Sequence, residues 1–422
     1  MGRAGSFLEG GGKLEVAVIG GGIGGLTLAL YLHASGIPCR VYEAAAEFKP
    51  LGVGINLFPH AMRRLFELGL GEAIARVGVE AREFTFFNQY GQLIFSEPCG
   101  RYAGYEFPHY SFHRADLHAV LHDAVSSRIG ADAVVMAHKC RRVDQDERGV
   151  TVHFEHPVSA EPLASVRADV AVACDGFHSA VRRQFYPEEG RPFFGGINLW
   201  RGVTRAKPFL TGASVTRAGP LRTGKLVVYA VRNHPDGTQT LNWSCEVKKD
   251  SWAENDWNKP GRLEDFIGYY LDWRFDWLDV PDMLRRAEFV LEYPMVDRDP
   301  VERWSFGRVT LLGDAAHPMY PRGGNGGAQA ILDAERLAQL LKASRDPAAA
   351  LQAYQADRLP KTAPIVLTNR SAPPDLIIET VDSITGGKPF RRIEDVIGRE
   401  TLVEISGRYK QIAAWDIDSV NR

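Results

Sequence analysis

Three short motifs in this chain combine glycines with an acidic residue, and each suits contact with a nucleotide. The first is G-x-G-x-x-G at Gly20, Gly22 and Gly25, with Glu43 about 20 residues further on. In such a motif the first glycine permits a tight turn, the second lets a pyrophosphate approach the backbone, and the third lets helix and strand pack closely. The acid is placed to accept hydrogen bonds from a ribose. The motif predicts a dinucleotide site and leaves open whether the ligand is FAD or NAD.

The other two motifs are Asp175 before Gly176 and Asp314 after Gly313. Each follows an apolar run that is typical of a buried strand, and ligands of open α/β sheets bind at the carboxyl ends of the strands. An aspartate beside a glycine is also a common turn former. Alone, each pair leaves both interpretations open. Together with the first motif, they favour nucleotide contact.

The segments around these motifs predict an α/β fold. Residues 14–19 are a short apolar run rich in β-branched side chains, which indicates a buried parallel strand. A helix follows the glycines, and residues 39–43 form the next strand. The same patterns predict strands at 133–138, 150–155, 168–174 and 308–312, and helices at 59–68, 115–129, 328–342 and 351–370, the last interrupted at Pro360 and Pro364.

A second region has the alternation of an antiparallel sheet. Residues 197–204, 225–232 and 238–247 are rich in aromatic and β-branched side chains and are separated by turn signals. A hairpin of two strands, 83–88 and 92–96, interrupts the earlier alternation of strands and helices, which suggests an inserted sheet. Residues 252–277 are aromatic and acidic, and we expect them to be helical after Pro260.

These elements predict two interleaved domains and a tail. Residues 14–82, 100–183 and 296–372 form a discontinuous nucleotide-binding domain, and residues 83–99 and 184–295 form a second domain around the antiparallel sheet. Residues 1–13 are expected to be a flexible leader. Residues 373–422 are expected to be a helical C-terminal segment that either covers the core or makes a subunit contact.

Composition excludes several classes of protein. The chain has 422 residues, 24% of them charged, and a net charge of −2, so no basic surface for nucleic acid is indicated. The five cysteines are far apart, without metal-ligand spacing, so we expect no metal site and a reducing, cytoplasmic location. We also expect no membrane span, and we attribute the myristoylation pattern at Gly2 and Ser6 to chance.

The three motifs, in this order and at this spacing, resemble the FAD-dependent aromatic hydroxylases of the para-hydroxybenzoate hydroxylase type, the class A flavoprotein monooxygenases. The resemblance covers about residues 14 to 370. It implies a Rossmann-like, GR2-type FAD-binding domain with an inserted antiparallel sheet that holds the substrate. The residues implied to hold FAD are Gly20, Gly22, Ile23, Gly24, Gly25, Glu43, Gly54, Arg114, Asp175, Asp314, Gly326, Gly327 and Ala328.

Several of these residues have implied roles. The glycines of the first motif would contact the FAD pyrophosphate, Glu43 the adenosine ribose and Arg114 the phosphate region. Asp175 would serve both FAD and NAD(P)H, and Asp314 the ribityl–pyrophosphate portion. Pro321 and the glycine loop 323–327 would lie beside the isoalloxazine ring, where a helix N-terminus favours negative charge on the reduced flavin.

The resemblance also implies the reaction. NAD(P)H reduces FAD, the reduced flavin takes up O2 as a C4a-hydroperoxide, and one oxygen atom passes to a small aromatic substrate. The protein positions the ring and excludes water, and no nucleophile–base triad is needed. We therefore expect NAD(P)H, O2 and an aromatic small molecule as partners, and a monomer or homodimer as the working form.

Three stretches resemble the phenazine-modifying branch of this family, whose members are like 5-methylphenazine-1-carboxylate 1-monooxygenase. They are residues 200–204, 293–300 and 311–321. Two departures bear on the substrate, since Cys174 replaces a small residue and residues 322–325 (RGGN) replace a more common G-Q-G type of sequence. The substrate, the regiochemistry and any accompanying decarboxylation stay open.

Candidate pocket residues come from the predicted sheet and from the loop after Asp314. Trp200, Tyr229 and Trp243 are candidate aromatic walls, although each could equally be core. Arg201 and Arg232 are candidate anchors for a carboxylate, with a plain surface role as the alternative. Alternation puts neighbouring residues on opposite faces of a strand, and of Trp200 and Arg201 we favour Trp200 as the one facing the pocket. Besides Pro321, His317 is a candidate, either as a proton relay or as a structural or flavin contact.

Other functions are compatible with the same motifs. One is an FAD-dependent oxidoreductase that does not use O2; a flavin halogenase is less well supported because its W-x-W-x-I-P signature is not found. Another is a flavin-binding protein without catalysis. Substrate-stimulated oxidation of NAD(P)H separates the hydroxylase from the non-catalytic protein.

Overall fold

The strands of the chain form one mainly parallel sheet, one large mixed sheet and several small ones. The computed structural model describes residues 14–49, 52–251, 259–371 and 373–421. The leader predicted at residues 1–13, with its myristoylation pattern, lies outside the described residues. In chain order the strands are β1 (Val16–Ile19), β2 (Cys39–Tyr42), β3 (Gly54–Leu57), β4 (Val79–Glu80), β5 (Glu83–Phe87), β6 (Leu93–Pro98), β7 (Tyr110–His113), β8 (Val134–Val135), β9 (Lys139–Asp146), β10 (Gly149–Glu155), β11 (Val166–Ala168), β12 (Val170–Ala173), β13 (Phe193–Ala206), β14 (Ser214–Ala218), β15 (Lys225–Asn233), β16 (Gln239–Lys248), β17 (Lys259–Pro260), β18 (Arg274–Phe275), β19 (Leu278–Asp279), β20 (Phe289–Asp297), β21 (Ser305–Phe306) and β22 (Val309–Leu311).

The helices cover the parallel sheet and form the C-terminal segment. They are α1 (Ile23–Ala34), α2 (Pro59–Glu67), α3 (Gly71–Val77), α4 (Arg114–Arg128), α5 (Ala180–Phe185), α6 (Val280–Arg285), α7 (Gly326–Ala343), α8 (Pro347–Ser371), α9 (Leu376–Thr385), α10 (Arg399–Ile412) and α11 (Ile417–Asn421). The α8 helix is continuous through Pro360 and Pro364, where an interruption was predicted. None of the helices in the described part of the chain is both long enough and apolar enough to cross a membrane.

The six-stranded sheet brings the three glycine–acid motifs to one edge. Its order is β21-β22-β12-β1-β2-β8, and all neighbours except β21 and β22 run parallel. The four residues of β1 are at most 2% exposed, which is why the strand is a continuous apolar run. Because the first motif follows β1, Asp175 comes shortly after β12 and Asp314 shortly after β22, all three meet where these adjacent strands end.

The eight-stranded sheet packs beside that edge, in the order β17-β20-β13-β16-β15-β14-β5-β6. Its strands pair antiparallel except β14 and β5, which run parallel. Ser214–Ala218 is a strand that the sequence analysis missed, and it joins the 83–98 hairpin to the rest of the sheet. Strands β3, β7 and β4 form a separate three-stranded antiparallel sheet.

The helix predicted after Pro260 was wrong. Beyond Pro260 the chain forms short 3-10 turns and the β18–β19 hairpin instead of one helix, because Phe266, Tyr270 and Trp273 each pack singly into the core on the back of the large sheet. Residues 252–258 of that stretch lie outside the described residues. The strand predicted at 168–174 corresponds to β12, Val170–Ala173. Ala168 instead ends β11, which pairs with β10 in another sheet, so the chain changes sheet at Asp169.

The C-terminal segment packs on the outer strands of the large sheet. Trp415 stacks on Phe58 with ring centroids 4.6 Å apart and lies 6.2 Å from Phe84 of β5. Leu402 and Tyr409 of α10 belong to the same buried cluster. The helical prediction for this segment is correct, and the segment covers core side chains.

Candidate functional site

A cavity of about 660 Å³ lies between the carboxyl-end edge of the six-stranded sheet and the inner face of the large sheet. This volume is in the range of small-molecule and cofactor sites. One end is lined by Gly22 and Asp175, the middle by Asp314 and Pro321, and the other end by side chains of the large sheet such as Tyr229. Each sheet thus supplies one side of the cavity.

The glycines of the first motif have three different environments. Gly20 has φ +106°, and a Cβ there would lie 2.4 Å from the carbonyl oxygen of Cys174. A Cβ on Gly25 would lie 2.0 Å from the carbonyl oxygen of Gly20, so only glycine lets α1 pack this closely. Gly22 has no atom within 4 Å of such a Cβ and lines the cavity. Gly20 and Gly25 therefore form the turn, and Gly22 leaves the backbone open to a ligand.

Two helices begin at the cavity. The α1 helix begins at Ile23, and Ile23 and Gly24 line the cavity; the α7 helix begins at Gly326, and Gly326 and Gly327 line it as well. The first N–H groups of a helix have no partner inside the helix, and the helix dipole adds partial positive charge. Ala328, in the first turn of α7, is fully buried. The cavity therefore has two positions that favour anionic groups.

The acidic residues predicted to bind the nucleotide differ in whether they line the cavity. Glu43 accepts hydrogen bonds from the backbone N–H groups of Gly21 and Ala45, both at 2.7 Å, and is outside the cavity lining. Asp175 accepts from Ala180 N–H at 2.8 Å through Oδ2, while its buried Oδ1 has no partner among the described residues. Desolvation by the surrounding protein raises the pKa of Asp175.

Asp314 and Arg114 face the middle of the cavity. Desolvation raises the pKa of Asp314, and the charges of His317 and Arg114 partly offset that rise. Gly54 lies next to them in the wall, and a Cβ there would meet Asn242 and Tyr229 at 2.7 Å. The open backbone at Gly22, the unpartnered oxygen of Asp175 and the two helix N-termini together fit a long ligand that carries phosphate groups, as FAD does.

The register of the large sheet decides which side chains reach the cavity. Arg201 pairs with Ser244, Ser244 with Val227, and Val227 with Arg217, so these four residues form one row across the sheet. All four line the cavity. Side chains in one such row point to the same face of a sheet.

The preference for Trp200 over Arg201 was wrong. Trp200 and Trp243 point to the opposite face, where each packs near Phe266, with ring centroids 5.2 and 6.0 Å away. Trp243 donates its indole N–H to Thr204 Oγ1 at 3.0 Å. Both tryptophans are core residues and neither lines the cavity.

The remaining candidates are divided between the cavity and other surroundings. Tyr229 and Pro321 line the cavity. His317 Nε2 lies 2.6 Å from Asp333 Oδ2 in the core, which matches the structural alternative for His317. Arg232 pairs with Asp116 at 2.6 Å and is not among the residues that line the cavity, which matches the surface alternative for Arg232.

Arg217 is a residue that the sequence analysis missed, because its strand was not predicted. It is 7% exposed and lines the cavity, and its guanidinium lies 5.9 and 5.7 Å from the ring centroids of Phe84 and Phe86. The guanidinium makes no hydrogen bond or ion pair with any described residue, and burial lowers its pKa. The alternation of Ser214–Ala218 was the signal that could have revealed this strand.

A buried group of charges adjoins Arg217. Lys225 Nζ lies 2.7 Å from Glu246 Oε2 and 2.6 Å from Asp375 Oδ2, and Arg322 donates to Asp375 at 2.8 Å. Burial alone would raise the pKa of Asp375, but the charges of Lys225 and Arg322 hold it well below its usual range. Counted with Arg217, three cationic side chains face two carboxylates, so this end of the cavity carries excess positive charge.

Comparison with known proteins places these features in a family. The FAD binding domain family matches residues 13–245 and 289–368. The chain is 44% identical to phenazine 1,6-dicarboxylic acid hydroxylase PhzS of Lysobacter antibioticus over 364 residues, which are 85% of this chain and 89% of that protein. It is 34% identical to 3-amino-4-hydroxybenzoate 2-monooxygenase PtmB3 of Streptomyces platensis, covering 82% of this chain and 84% of that protein.

Solved structures share the fold. Klebsiella pneumoniae HpxO, complexed with FAD and uric acid, superposes with a TM-score of 0.70 at 25% identity, covering 95% of this chain and 92% of that one. A salicylate hydroxylase in a substrate complex superposes with a TM-score of 0.72 at 21% identity, covering 97% of both chains. The fold is therefore shared with both proteins over most of this chain.

Proposed function

Because this chain belongs to the FAD binding domain family and resembles its aromatic hydroxylases over most of its length, we propose that it hydroxylates a carboxylated N-heteroaromatic ring of the phenazine type. The chain is an FAD-dependent aromatic hydroxylase, and NAD(P)H and O2 are the co-substrates typical of such enzymes. Two observations support a phenazine-like acid as the substrate: the lining of the cavity and the 44% identity to the Lysobacter phenazine hydroxylase.

The proposal depends mainly on the position of the buried Arg217 guanidinium in the cavity wall. This guanidinium is nine-tenths buried, has no carboxylate partner among the described residues and faces the cavity beside two phenylalanine rings. A guanidinium in this position presents paired N–H donors that match a carboxylate, and it stacks on aromatic faces. A flat aromatic acid would place its carboxylate at Arg217 and its ring against Val215, Val227 and Tyr229, which line the same cavity.

The residues of the chain have separate tasks in this proposal. Bound FAD supplies the redox and oxygen-transfer chemistry. The N-termini of α1 and α7 hold its anionic groups, with Asp175 and Asp314 as further contacts along the cavity. Arg217 orients the substrate by its carboxylate, and Tyr229 and Val227 exclude water from the ring. His317 takes no part, since its partner is Asp333 in the core.

The relatives narrow the substrate class. The Lysobacter protein is named for a phenazine dicarboxylic acid and the Streptomyces protein for an aminohydroxybenzoate, so both act on aromatic acids. With Arg201 as well as Arg217 in one row of the cavity wall, a tricyclic acid with one or two carboxylates fits the charge of this site.

The test is NAD(P)H consumption by the FAD-loaded protein with phenazine, quinoline and benzoate carboxylic acids. Each acid is paired with its carboxamide, which has nearly the same shape and no charge. We expect phenazine acids to stimulate oxidation, the amides to do so weakly, and the product to gain one oxygen by mass spectrometry. Loss of carbon dioxide from the product would show hydroxylation at the carboxylated carbon.

Two outcomes contradict the proposal. Equal stimulation by acid and amide would exclude Arg217 as a carboxylate contact. Failure of every acid to stimulate oxidation would favour the alternatives, an oxidoreductase that does not use O2 or a non-catalytic flavin-binding protein.

We also propose a location, an assembly state and a domain division. All five cysteines are free thiols, which suits the cytoplasm. The proposed working form is a monomer or a homodimer, and sedimentation of the FAD-loaded protein distinguishes them. The proposed FAD-binding domain is residues 14–82, 100–183 and 296–372, and the proposed substrate domain is residues 83–99 and 184–295. Limited proteolysis with mass spectrometry tests that division.

A further inference from the structure

One loop connects the FAD side of the cavity with its charged end. We call residues 319–325, between Pro318 and α7, the cavity loop. Tyr320, Pro321 and Arg322 of this loop line the cavity, and so do Gly324 and Asn325. The opposite side of the loop contacts a part of the chain that begins after residue 368, where the match to the FAD binding domain family ends.

The first contact is an ion pair. Arg322 Nη2 donates to Asp375 Oδ2 at 2.8 Å, and the Arg322 side chain is only 9% exposed. Asp375 is 1% exposed, directly precedes α9 and also accepts from Lys225 at 2.6 Å. Glu246 is the second carboxylate near Arg322, at 3.6 Å. Asp375 therefore holds two cations that would otherwise repel each other in a buried space.

The second contact is a relay of hydrogen bonds. Tyr409 of α10 donates through Oη to Asn369 Oδ1 at 2.7 Å, and Asn369 Nδ2 donates to the carbonyl oxygen of Tyr320 at 3.2 Å. The same Tyr409 hydroxyl lies against the backbone of Gly323, where an added Cβ would be 1.7 Å from Oη. The loop backbone is thus fixed at two points by a side chain of the C-terminal segment.

We propose that the C-terminal segment, residues 373–421, is part of the active site, with Asp375 and Tyr409 as positioning residues for the cavity loop. Asp375 acts through Arg322, and Tyr409 acts through Asn369 and Gly323. The inference rests on the proposed function, because the loop has a role in catalysis only if the cavity holds FAD and an aromatic acid. Its consequence is that the excess charge at the substrate end depends on a segment outside the matched domain.

The physical effect of losing Asp375 follows from the charges. Without its carboxylate, Lys225 and Arg322 share Glu246 alone, and like-charge repulsion favours turning Arg322 toward the cavity. Arg322 would then compete with Arg217 for the substrate carboxylate. The ring would bind in a second orientation, and oxygen transfer would lose efficiency because reaction needs close alignment.

The test compares Asp375→Asn and Tyr409→Phe with two matched controls. Asp382→Asn removes another carboxylate of the C-terminal segment. Asp382 Oδ1 lies 2.6 Å from Nη2 of Arg222, a residue outside the cavity loop. Tyr105→Phe removes a hydroxyl that donates to Trp415 O at 2.8 Å. The original protein and all variants are loaded with FAD. The readouts are the visible-region circular dichroism of the flavin, the dissociation constant for FAD, and hydroxylated product formed per NAD(P)H consumed.

We expect Asp375→Asn to keep FAD but to change the dichroism of the bound flavin and to lower the product per NAD(P)H by about tenfold. Asp375→Glu should restore part of the product formed per NAD(P)H. Tyr409→Phe should also lower this ratio, but less than Asp375→Asn. The controls should match the original protein. If Asp375→Asn fails to fold, Tyr409→Phe decides the question, since it keeps the ring in place.

The inference would be overturned if Asp375→Asn and Tyr409→Phe changed neither the dichroism of the flavin nor the product formed per NAD(P)H. Equal effects in the two control variants would also overturn it. Failure of the original protein to hydroxylate any acid would refute the proposed function instead. In that case the dichroism comparison still decides whether the segment positions the loop.

Discussion

Trp200 and Arg201 are neighbours in β13, yet they face opposite sides of the large sheet. Arg201 lines the cavity and donates to the carbonyl oxygen of Gly54 at 2.9 Å, whereas Trp200 is 1% exposed and stacks on Phe266. Substitutions on the face of Arg201 should therefore change substrate binding, whereas substitutions on the face of Trp200 should change only the stability of the fold.

Trp200→Leu should weaken the fold without changing substrate binding. The substitution removes the stacked contact with Phe266, and loss of a large buried side chain lowers the free energy of unfolding by about 2–4 kcal/mol. Urea denaturation measures that loss, and steady-state kinetics should return the original KM for the acid. A large rise in KM with normal stability would mean that Trp200 contacts the substrate after all.

Arg217→Gln should raise the KM for an aromatic acid far more than it lowers kcat. Hydrogen bonds to charged groups contribute about 1.5–3 kcal/mol, which corresponds to a rise of about 10- to 150-fold. The carboxamide analogue should bind the two proteins almost equally. Arg205→Gln, at an exposed pair with Asp236, is the matched control. A variant with an unchanged KM would place the carboxylate elsewhere in the cavity.

Asp314→Ala should purify folded but with little FAD. Asp314 lines the cavity beside the start of α7, where a Cβ on Gly326 would lie 3.6 Å from Asp314 Oδ1, and its carboxylate has no hydrogen-bond partner among the described residues. The ratio of flavin absorbance to protein absorbance measures occupancy, and far-ultraviolet circular dichroism checks the fold. Asp132→Ala, whose side chain is 83% exposed, is the control. Full flavin occupancy in Asp314→Ala would contradict a role in holding the cofactor.

Gly22→Ala and Gly25→Ala should fail in different ways. An added Cβ on Gly25 would lie 2.0 Å from the carbonyl oxygen of Gly20, so α1 must move and stability must fall even without FAD. Gly22 has free space around its Cβ position, so its variant should fold normally and bind FAD weakly. Thermal melts of the FAD-free proteins, followed by FAD titration, separate the two effects. Similar melting temperatures for both variants would contradict this division.

Acid should destabilise the protein through buried histidines. Burial, with smaller contributions from the charges of Arg217 and His60, lowers the pKa of His109 to about 3. The unfolded chain takes up a proton near pH 6.5 and the folded chain does not. Stability is therefore complete above that pH and falls as the pH drops toward 3, by about 1.4 kcal/mol per pH unit for this one group.

His109→Gln tests this directly. The free energy of unfolding, measured by denaturant between pH 4 and 6, should depend on pH less steeply than in the original protein, by about 1.4 kcal/mol per pH unit. His33→Gln, at an exposed position, is the reference variant. An unchanged slope in His109→Gln would show that the buried ring is protonated in the folded protein.

The local structure around the first glycine motif could be predicted from the sequence. The strand, turn and helix around Gly20 and Gly25 are contiguous, and steric limits on glycine and apolar periodicity act within a few residues. The same holds for α4, α7 and the long strands of the large sheet, whose patterns are strong. The prediction of a helix after Pro260 was wrong because tertiary contacts determine where each aromatic residue of this stretch packs. Their spacing does not correspond to one face of a helix.

The arrangement of the site was decided by tertiary structure. Alternation shows that Trp200 and Arg201 face apart, but both faces of β13 are covered, so the sequence cannot tell which face borders the cavity. Arg217 reaches the cavity because Ser214–Ala218 pairs with β15 in the large sheet. The pairing of Arg322 with Asp375 joins residues 53 positions apart. The sequence determined the cofactor family through local motifs, whereas the substrate end depends on long-range packing that no local pattern encodes.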